Sequence, residues 1–146
     1  MTEISKISSL EQVKKHLTAE CFNKLFIGGQ FVDPIDGQKM PTHYPATGEI
    51  FHELPKGNSN DIGSAIRAAE AAWIDGTWAN MPASKRGDLV SRMAEGIEEN
   101  IEFLAAIEAA DVGKPFRQAE MVLGGAANEG KYWASLGTVL DAEQDI

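Results

Sequence analysis

The feature that most constrains this chain is a series of helical stretches with small apolar faces and no long strands for them to cover. Ile62, Ala65, Ile66, Ala69, Ala72 and Trp73 recur at helical spacing and form one stripe. Leu89, Met93, Ile97, Ile101 and Leu104 continue at steps of four and three, and Ala119, Val122, Ala126, Ala127, Trp133 and Leu136 make a third stretch. Alanines and glycines crowd these faces, Ala65, Ala68, Gly124 and Gly125 among them, and small residues let backbones approach closely. No β-branched run is long enough to build a large parallel sheet, whose strands read as continuous apolar segments. The helices are therefore shaped to cover a surface that this sequence does not itself supply.

Local signals set the expected boundaries. Ser59 is read as the N-cap of the first long helix, with Asp61 in its first turn, where the helix dipole favours an anion. Asp75-Gly76 ends that helix. Pro82 opens the next at a first-turn position, where its missing N–H is no loss, and a break falls near Asn100. The second stretch stops at Asp111–Pro115, and the third is expected to fade near Gly137. Upstream, residues 25–55 read as short antiparallel β-structure. Gly28-Gly29 suits a tight hairpin turn, and Pro45-Ala46-Thr47-Gly48 pairs a fixed φ with a permissive glycine. Ile4, Ile7, Leu10, Val13 and Leu17 suggest a short amphipathic helix within residues 4–20.

Charge and cysteine usage narrow the function classes. With 13 basic and 22 acidic residues the formal net charge is −9, a field that repels phosphate and disfavours nucleic acid or an anionic membrane surface as partner. The first twenty residues hold no continuous apolar core of the kind a signal peptide has, and no stretch approaches the ~18 apolar residues of a membrane span. Cys21 is the one cysteine, so no internal disulfide can form, and His16, His43 and His52 show no metal-ligand spacing. The expectation is a soluble cytoplasmic protein. Trp73, Trp78 and Trp133 are expected to pack in the core rather than act as a stacking platform. Arg92, Glu95 and Glu99 read as a solvated helix face.

Four segments, in order, carry a family resemblance. They are Ile-Gly-Gly-Gln-Phe at Ile27–Phe31, the Pro-Ala-Thr-Gly-Glu turn from Pro45 to Glu49, the run from Trp78 through Arg86 to Val90, and Asp-Val-Gly-Lys-Pro from Asp111 to Pro115. Together, over residues 24–140, they resemble the start of the NAD(P)-dependent aldehyde dehydrogenases. Tyr44 stands where that family usually has asparagine before the turn. The resemblance implies an α/β fold in which this segment, short antiparallel β-hairpins followed by three helices, forms the outer part of a Rossmann-like nucleotide-binding domain. Residues 1–23 are then an N-terminal extension, and 141–146 a tail.

The resemblance also implies a chemistry and places it elsewhere. A cysteine thiolate attacks the aldehyde, hydride passes to NAD or NADP, and water releases the acid. The catalytic cysteine, the glutamate base and the cofactor loop of the family all belong to later sequence. The expectation is therefore no catalytic and no cofactor-binding residue here, and no activity from this chain alone. Cys21, in Ala-Glu-Cys-Phe-Asn-Lys, bears no likeness to the family's nucleophile motif and reads as an incidental thiol. Gly125, Gly130 and Lys131 nearly spell a phosphate loop, but Tyr132 replaces the Ser or Thr that holds magnesium and no strand precedes the glycines. Many family members bind a monovalent cation, and by resemblance the backbone oxygens of Thr42 and His43 with the Asp111 carboxylate correspond to that site. Hard cations prefer such oxygens.

Two functions follow. The first is the N-terminal portion of an aldehyde dehydrogenase, with an aldehyde substrate in the full-length context and a homo-oligomer or a complementary C-terminal segment as partner. The alternative is a non-catalytic interaction module that docks onto such a segment or a homologue, motivated by the uncovered small-residue faces.

Overall fold

The computed structural model describes residues 10–144. They divide into two compact units, one of residues 10–76 with 110–113, the other of 77–109 with 114–144.

The first unit begins with two short helices, α1 (Leu10–His16) and α2 (Glu20–Asn23). This replaces the single helix expected over 4–20, of which Ile4 and Ile7 lie outside the described residues. Val13 and Leu17 are buried, and the Asn23 side-chain amide donates to the Leu17 carbonyl at 2.7 Å to tie the turn together.

Strands β1 (Leu25–Ile27) and β2 (Gln30–Val32) pair antiparallel, with Ile27 opposite Gln30. A two-residue loop of this kind needs positive φ at both positions, and Gly28 and Gly29 supply it at 60° and 79°. Phe26 faces Phe31 across the hairpin with ring centroids 5.1 Å apart.

Strands β3 (Lys39–His43) and β4 (Ile50–Pro55) form a second antiparallel pair. Lys56 N–H donates to the Gln38 carbonyl at 2.9 Å, which makes that rung a hydrogen-bonded one. By alternation, Pro41 and Pro55 occupy rungs whose N–H groups point away from the partner strand, so neither proline breaks the ladder.

Helix α3 (Ser59–Asp75) is stopped at both ends by local chemistry. Its N-cap is Asn58 rather than Ser59: the Asn58 side chain accepts from Asn60 N–H and Asp61 N–H, and Asp61 answers by accepting from Asn58 N–H. Asparagine wins because its carbonyl reaches both of these orphan amides, the capping-box arrangement. The buried Asp61 also accepts from Ile35 N–H at 3.1 Å, joining the loop after β2 to the helix start. Gly76 closes the other end in the left-handed conformation, φ 73°.

The second unit holds α4 (Ala83–Glu99), most of α5 (Ile101–Val112) and α6 (Phe116–Gln144). The break at Asn100 falls where the sequence indicates it, making the second helical stretch two helices. Pro82 is the N-cap of α4, with extended ψ of 143°, rather than its first helical residue. Helix α6 does not fade at Gly137 but runs on to Gln144.

The reason is visible in the α4–α6 seam. A Cβ on Gly137 would collide with the Ala83 carbonyl oxygen, a Cβ on Gly87 would collide with that of Ala134, and one on Gly130 would sit 3.2 Å from the Ala94 Cβ. These glycines are contact points between two antiparallel helices, not terminators. Asp141 completes the seam, its two carboxylate oxygens accepting from Ala83 N–H at 2.7 Å and Ser84 N–H at 2.8 Å. That cap from another helix replaces the one Pro82 cannot make.

Small residues own this seam, so the large ones lie elsewhere. Met93 is 72% exposed, because the buried line of α4 runs through Ala83, Gly87 and Ala94 instead of the predicted Leu89–Met93–Ile97 steps. The expectation that the three tryptophans pack in the core is also corrected: Trp73, Trp78 and Trp133 are 74%, 50% and 64% exposed. Trp133 lies off the Ala119–Ala127–Gly137 line that α6 buries, with its ring edge-on to Tyr132.

Candidate functional site

Of the three residues of the expected cation site, the first unit brings two, Thr42 and Asp111, into contact. At the end of β3 the register shifts: Thr42 pairs with His52 and His43 with Ile50, so the extra residue, Phe51, lies on β4. The following loop closes on itself through Tyr44 N–H to the Glu49 carbonyl at 2.8 Å and Gly48 N–H to the Tyr44 carbonyl at 2.7 Å, with Gly48 at φ 75°.

Against it stands the C-terminal end of α5. The Thr42 hydroxyl donates to Asp111 Oδ1 at 2.5 Å, 69 positions away in sequence. Two residues on, Gly113 turns into the left-handed region at φ 71°, and a Cβ there would lie 3.2 Å from the Pro45 Cβ. Asp111 and Gly113 thus pack against the end of β3 and the Pro-Ala-Thr-Gly-Glu turn within one unit.

Thr42 and Asp111 are in direct contact, while His43 follows Thr42 across the register shift with its side chain exposed. The sequence reading used the Thr42 backbone oxygen and missed the hydroxyl, which no local pattern flags. Carbonyl, hydroxyl and carboxylate oxygens of this kind suit a hard cation of low charge. Among the described residues no group of three or more His, Cys, Asp or Glu side chains gathers as a transition-metal site would require.

Of the remaining candidates, Gly130 and Lys131 are engaged in helix packing. Gly125, Gly130 and Lys131 lie inside α6; Gly130 meets Ala94, and Lys131 Nζ pairs with Glu98 Oε2 at 2.6 Å. Cys21 is exposed in the four-residue α2.

In the second unit, an open cavity of about 400 Å³ lies at the start of α4, lined by residues 79–83 with Arg86 and Asp141. Its charged groups are already engaged. Arg86 Nη1 donates to the Met81 carbonyl, and Asp141 caps α4. Hydrogen bonds from the Ser84 side chain and then its backbone hold the Asp141 carboxyl below the usual carboxylate range, with Ala83 N–H and the Arg86 charge adding to the effect.

Residues 31–145 match the family model described as the aldehyde dehydrogenase family. A mitochondrial benzaldehyde dehydrogenase of Antirrhinum majus is 37% identical over 115 residues, which cover 79% of this chain and 22% of that protein. A mitochondrial aldehyde dehydrogenase of Rattus norvegicus is 40% identical over 95 residues, 64% of this chain and 18% of the relative. Among solved structures, betaine aldehyde dehydrogenase from Staphylococcus aureus in complex with NAD+ superposes with a TM-score of 0.82 at 26% identity, covering 87% of this chain and 25% of that one. The chain spans about a fifth to a quarter of the proteins it matches.

Proposed function

Because the chain belongs to the aldehyde dehydrogenase family, we propose that it supplies the N-terminal part of an enzyme that oxidises an aldehyde to a carboxylic acid with NAD or NADP. The observation that carries this reading is the superposition, at a TM-score of 0.82, on a quarter of an NAD+-bound dehydrogenase. In this reading the nucleophilic cysteine and the glutamate base come from the rest of the fold, and this chain alone forms no NADH. Its own contribution is architectural: the β3–β4 turn and the end of α5 are locked by Thr42–Asp111 and Pro45–Gly113. The same spot is the proposed monovalent-cation site, formed by Thr42 and His43 backbone oxygens with the Asp111 carboxylate. The donor chemistry supports it, since every ligand is a hard oxygen.

Among the described residues no helix is long and apolar enough to cross a membrane. The cytoplasm is the compartment proposed.

The decisive experiment replaces the matched segment of the Antirrhinum majus relative with residues 31–145 of this chain and follows NADH formation on aldehyde addition. The expected result is turnover by the chimera and none by the 146-residue chain. A chimera that stays unfolded or inactive overturns the reading, and turnover by the chain alone overturns the division of labour.

The interaction-module reading draws on one specific observation, the apolar surface that α3 leaves uncovered.

A further inference from the structure

The turn between β2 and β3 carries a reactive pair, Asp36-Gly37, that the proposed function leaves unused. An aspartate followed by glycine is prone to cyclise, because no Cβ hinders attack by the glycine nitrogen and the backbone there is permissive. The chain has one other such bond, Asp75-Gly76, at the C-terminal end of α3. Asp36 and Gly37 are both exposed, yet their reacting groups are engaged. Gly37 N–H donates to the Pro34 carbonyl at 2.9 Å, and Asp36 Oδ1 accepts from Gln38 N–H at 3.0 Å. The Asn58 side chain donates to the same carboxylate while it caps α3. Ile35 N–H, one residue upstream, is held by the buried Asp61 of that capping box. The turn and the start of α3 thus form one hydrogen-bonded network centred on Asn58.

We propose that Asp36-Gly37 is a site of aspartate-to-isoaspartate modification, gated by the Asn58 network at the start of α3. The Gly37 nitrogen attacks Asp36 Cγ: an N–C bond forms, a Cγ–O bond breaks, and the amide proton leaves with the carboxyl hydroxyl as one water. Water then opens the five-membered imide. Attack at the former side-chain carbon restores aspartate, whereas attack at the main-chain carbonyl leaves an isoaspartyl link with no net change in mass. No oxidant or cofactor takes part. Ring closure requires that Gly37 N–H leave Pro34 and that the carboxylate leave Asn58 and Gln38, so it proceeds from the opened turn. The network also opposes the chemistry itself. The Asn58 side chain, then Gln38 N–H, hold the Asp36 carboxyl below its usual range, and the ionised form is the poorer electrophile. Once formed, the isoaspartyl link lengthens the main chain by one methylene beside Ile35, whose N–H joins this loop to Asp61.

Peptide mapping of the chain aged in neutral buffer tests the gate, reading the isoaspartyl form as a chromatographic shift at unchanged mass. Conversion at Asp36 is about tenfold or more slower in the folded chain than in the same chain unfolded in guanidinium chloride, because reaction needs a local opening. Asn58→Ser keeps a capping oxygen for α3 but is too short to hold the Asp36 carboxylate. In that variant conversion at Asp36 rises about fivefold, the effect of losing one hydrogen bond that keeps the turn closed. Conversion at Asp75-Gly76, at the other end of α3, stays unchanged. Equal rates at Asp36 in the folded and unfolded chain overturn the proposal, as does an Asn58→Ser chain whose Asp36 converts no faster than the parent's. If the variant speeds both bonds alike, the helix as a whole is opening and the network is not the gate.

Discussion

Thr42 and Asp111 are joined by a 2.5 Å hydrogen bond although 69 residues separate them. The bond ties the end of β3 to the last turn of α5, so a strand and a helix that share no local sequence signal hold one loop between them. Thr42→Val removes the donor and keeps the shape. The expected loss is about 1 kcal/mol in chemical denaturation, the usual net worth of one such bond. Unchanged stability would mean that water replaces the hydroxyl.

The proposed cation site predicts an ion-specific stabilisation. At equal ionic strength, potassium chloride should raise the melting temperature above that in tetramethylammonium chloride, since a ligand bound to the folded state adds stability by mass action. Asp111→Ala should abolish that difference, because it removes the one formal charge of the set. Equal melting temperatures in the two salts for the parent chain would rule the site out.

Gly113 sits at φ 71° with Pro45 against it. Gly113→Ala should cost about 1–2 kcal/mol, combining left-handed backbone strain with the crowded Cβ. Equilibrium unfolding in urea would show it as a lower midpoint at constant slope. A neutral result would mean the turn can relax.

Glycines of α4 and α6 should divide sharply by position. Gly87→Ala and Gly137→Ala place a methyl on a backbone carbonyl of the facing helix, and should destabilise by about 1–3 kcal/mol as overpacking does. Gly125 is in the same helix as Gly137 but meets nothing within 4 Å. There the alanine should stabilise by about 0.5–1 kcal/mol through helix propensity and the unfolded chain. Thermal melts of the three variants decide the matter, and equal effects at all three positions would contradict the seam.

Acid sensitivity should track two carboxylates. Asp141 is held low chiefly by the Ser84 side chain, and Asp36 chiefly by the Asn58 side chain and then by Gln38 N–H. A carboxyl whose folded value lies below its ordinary 3.8 adds stability above that pH and loses it as pH falls through the lower folded value. Asp141→Asn and Asp36→Asn should therefore flatten the acid limb of the stability profile below about pH 4. A limb as steep as the parent's in both variants would assign acid denaturation to other groups.

The residues themselves show where sequence reasoning reaches. The Gly28-Gly29 hairpin, the turn ending at Gly48, the stop at Gly76 and the break at Asn100 all appear where the chain indicates them. Each depends on backbone preferences and partners within a few positions, and these are written locally. The Asn58-x-x-Asp61 box is equally local, one position before the serine that the sequence also offers as a cap.

The small-residue helix faces behind the first reading were determined by sequence alone: their spacing dictates helices able to approach a neighbour closely. Which neighbour they meet was decided by tertiary structure. The seam of α4 with α6 takes up the glycines, carries α6 through Gly137 and recruits Asp141 as a cap. It leaves Met93 and Trp133 in water. The stripe of α3, equally plain in sequence, finds no cover among the described residues. Periodicity records that a face is apolar, whereas burial depends on what the rest of the fold brings to it, and such pairings are made between positions far apart in the chain.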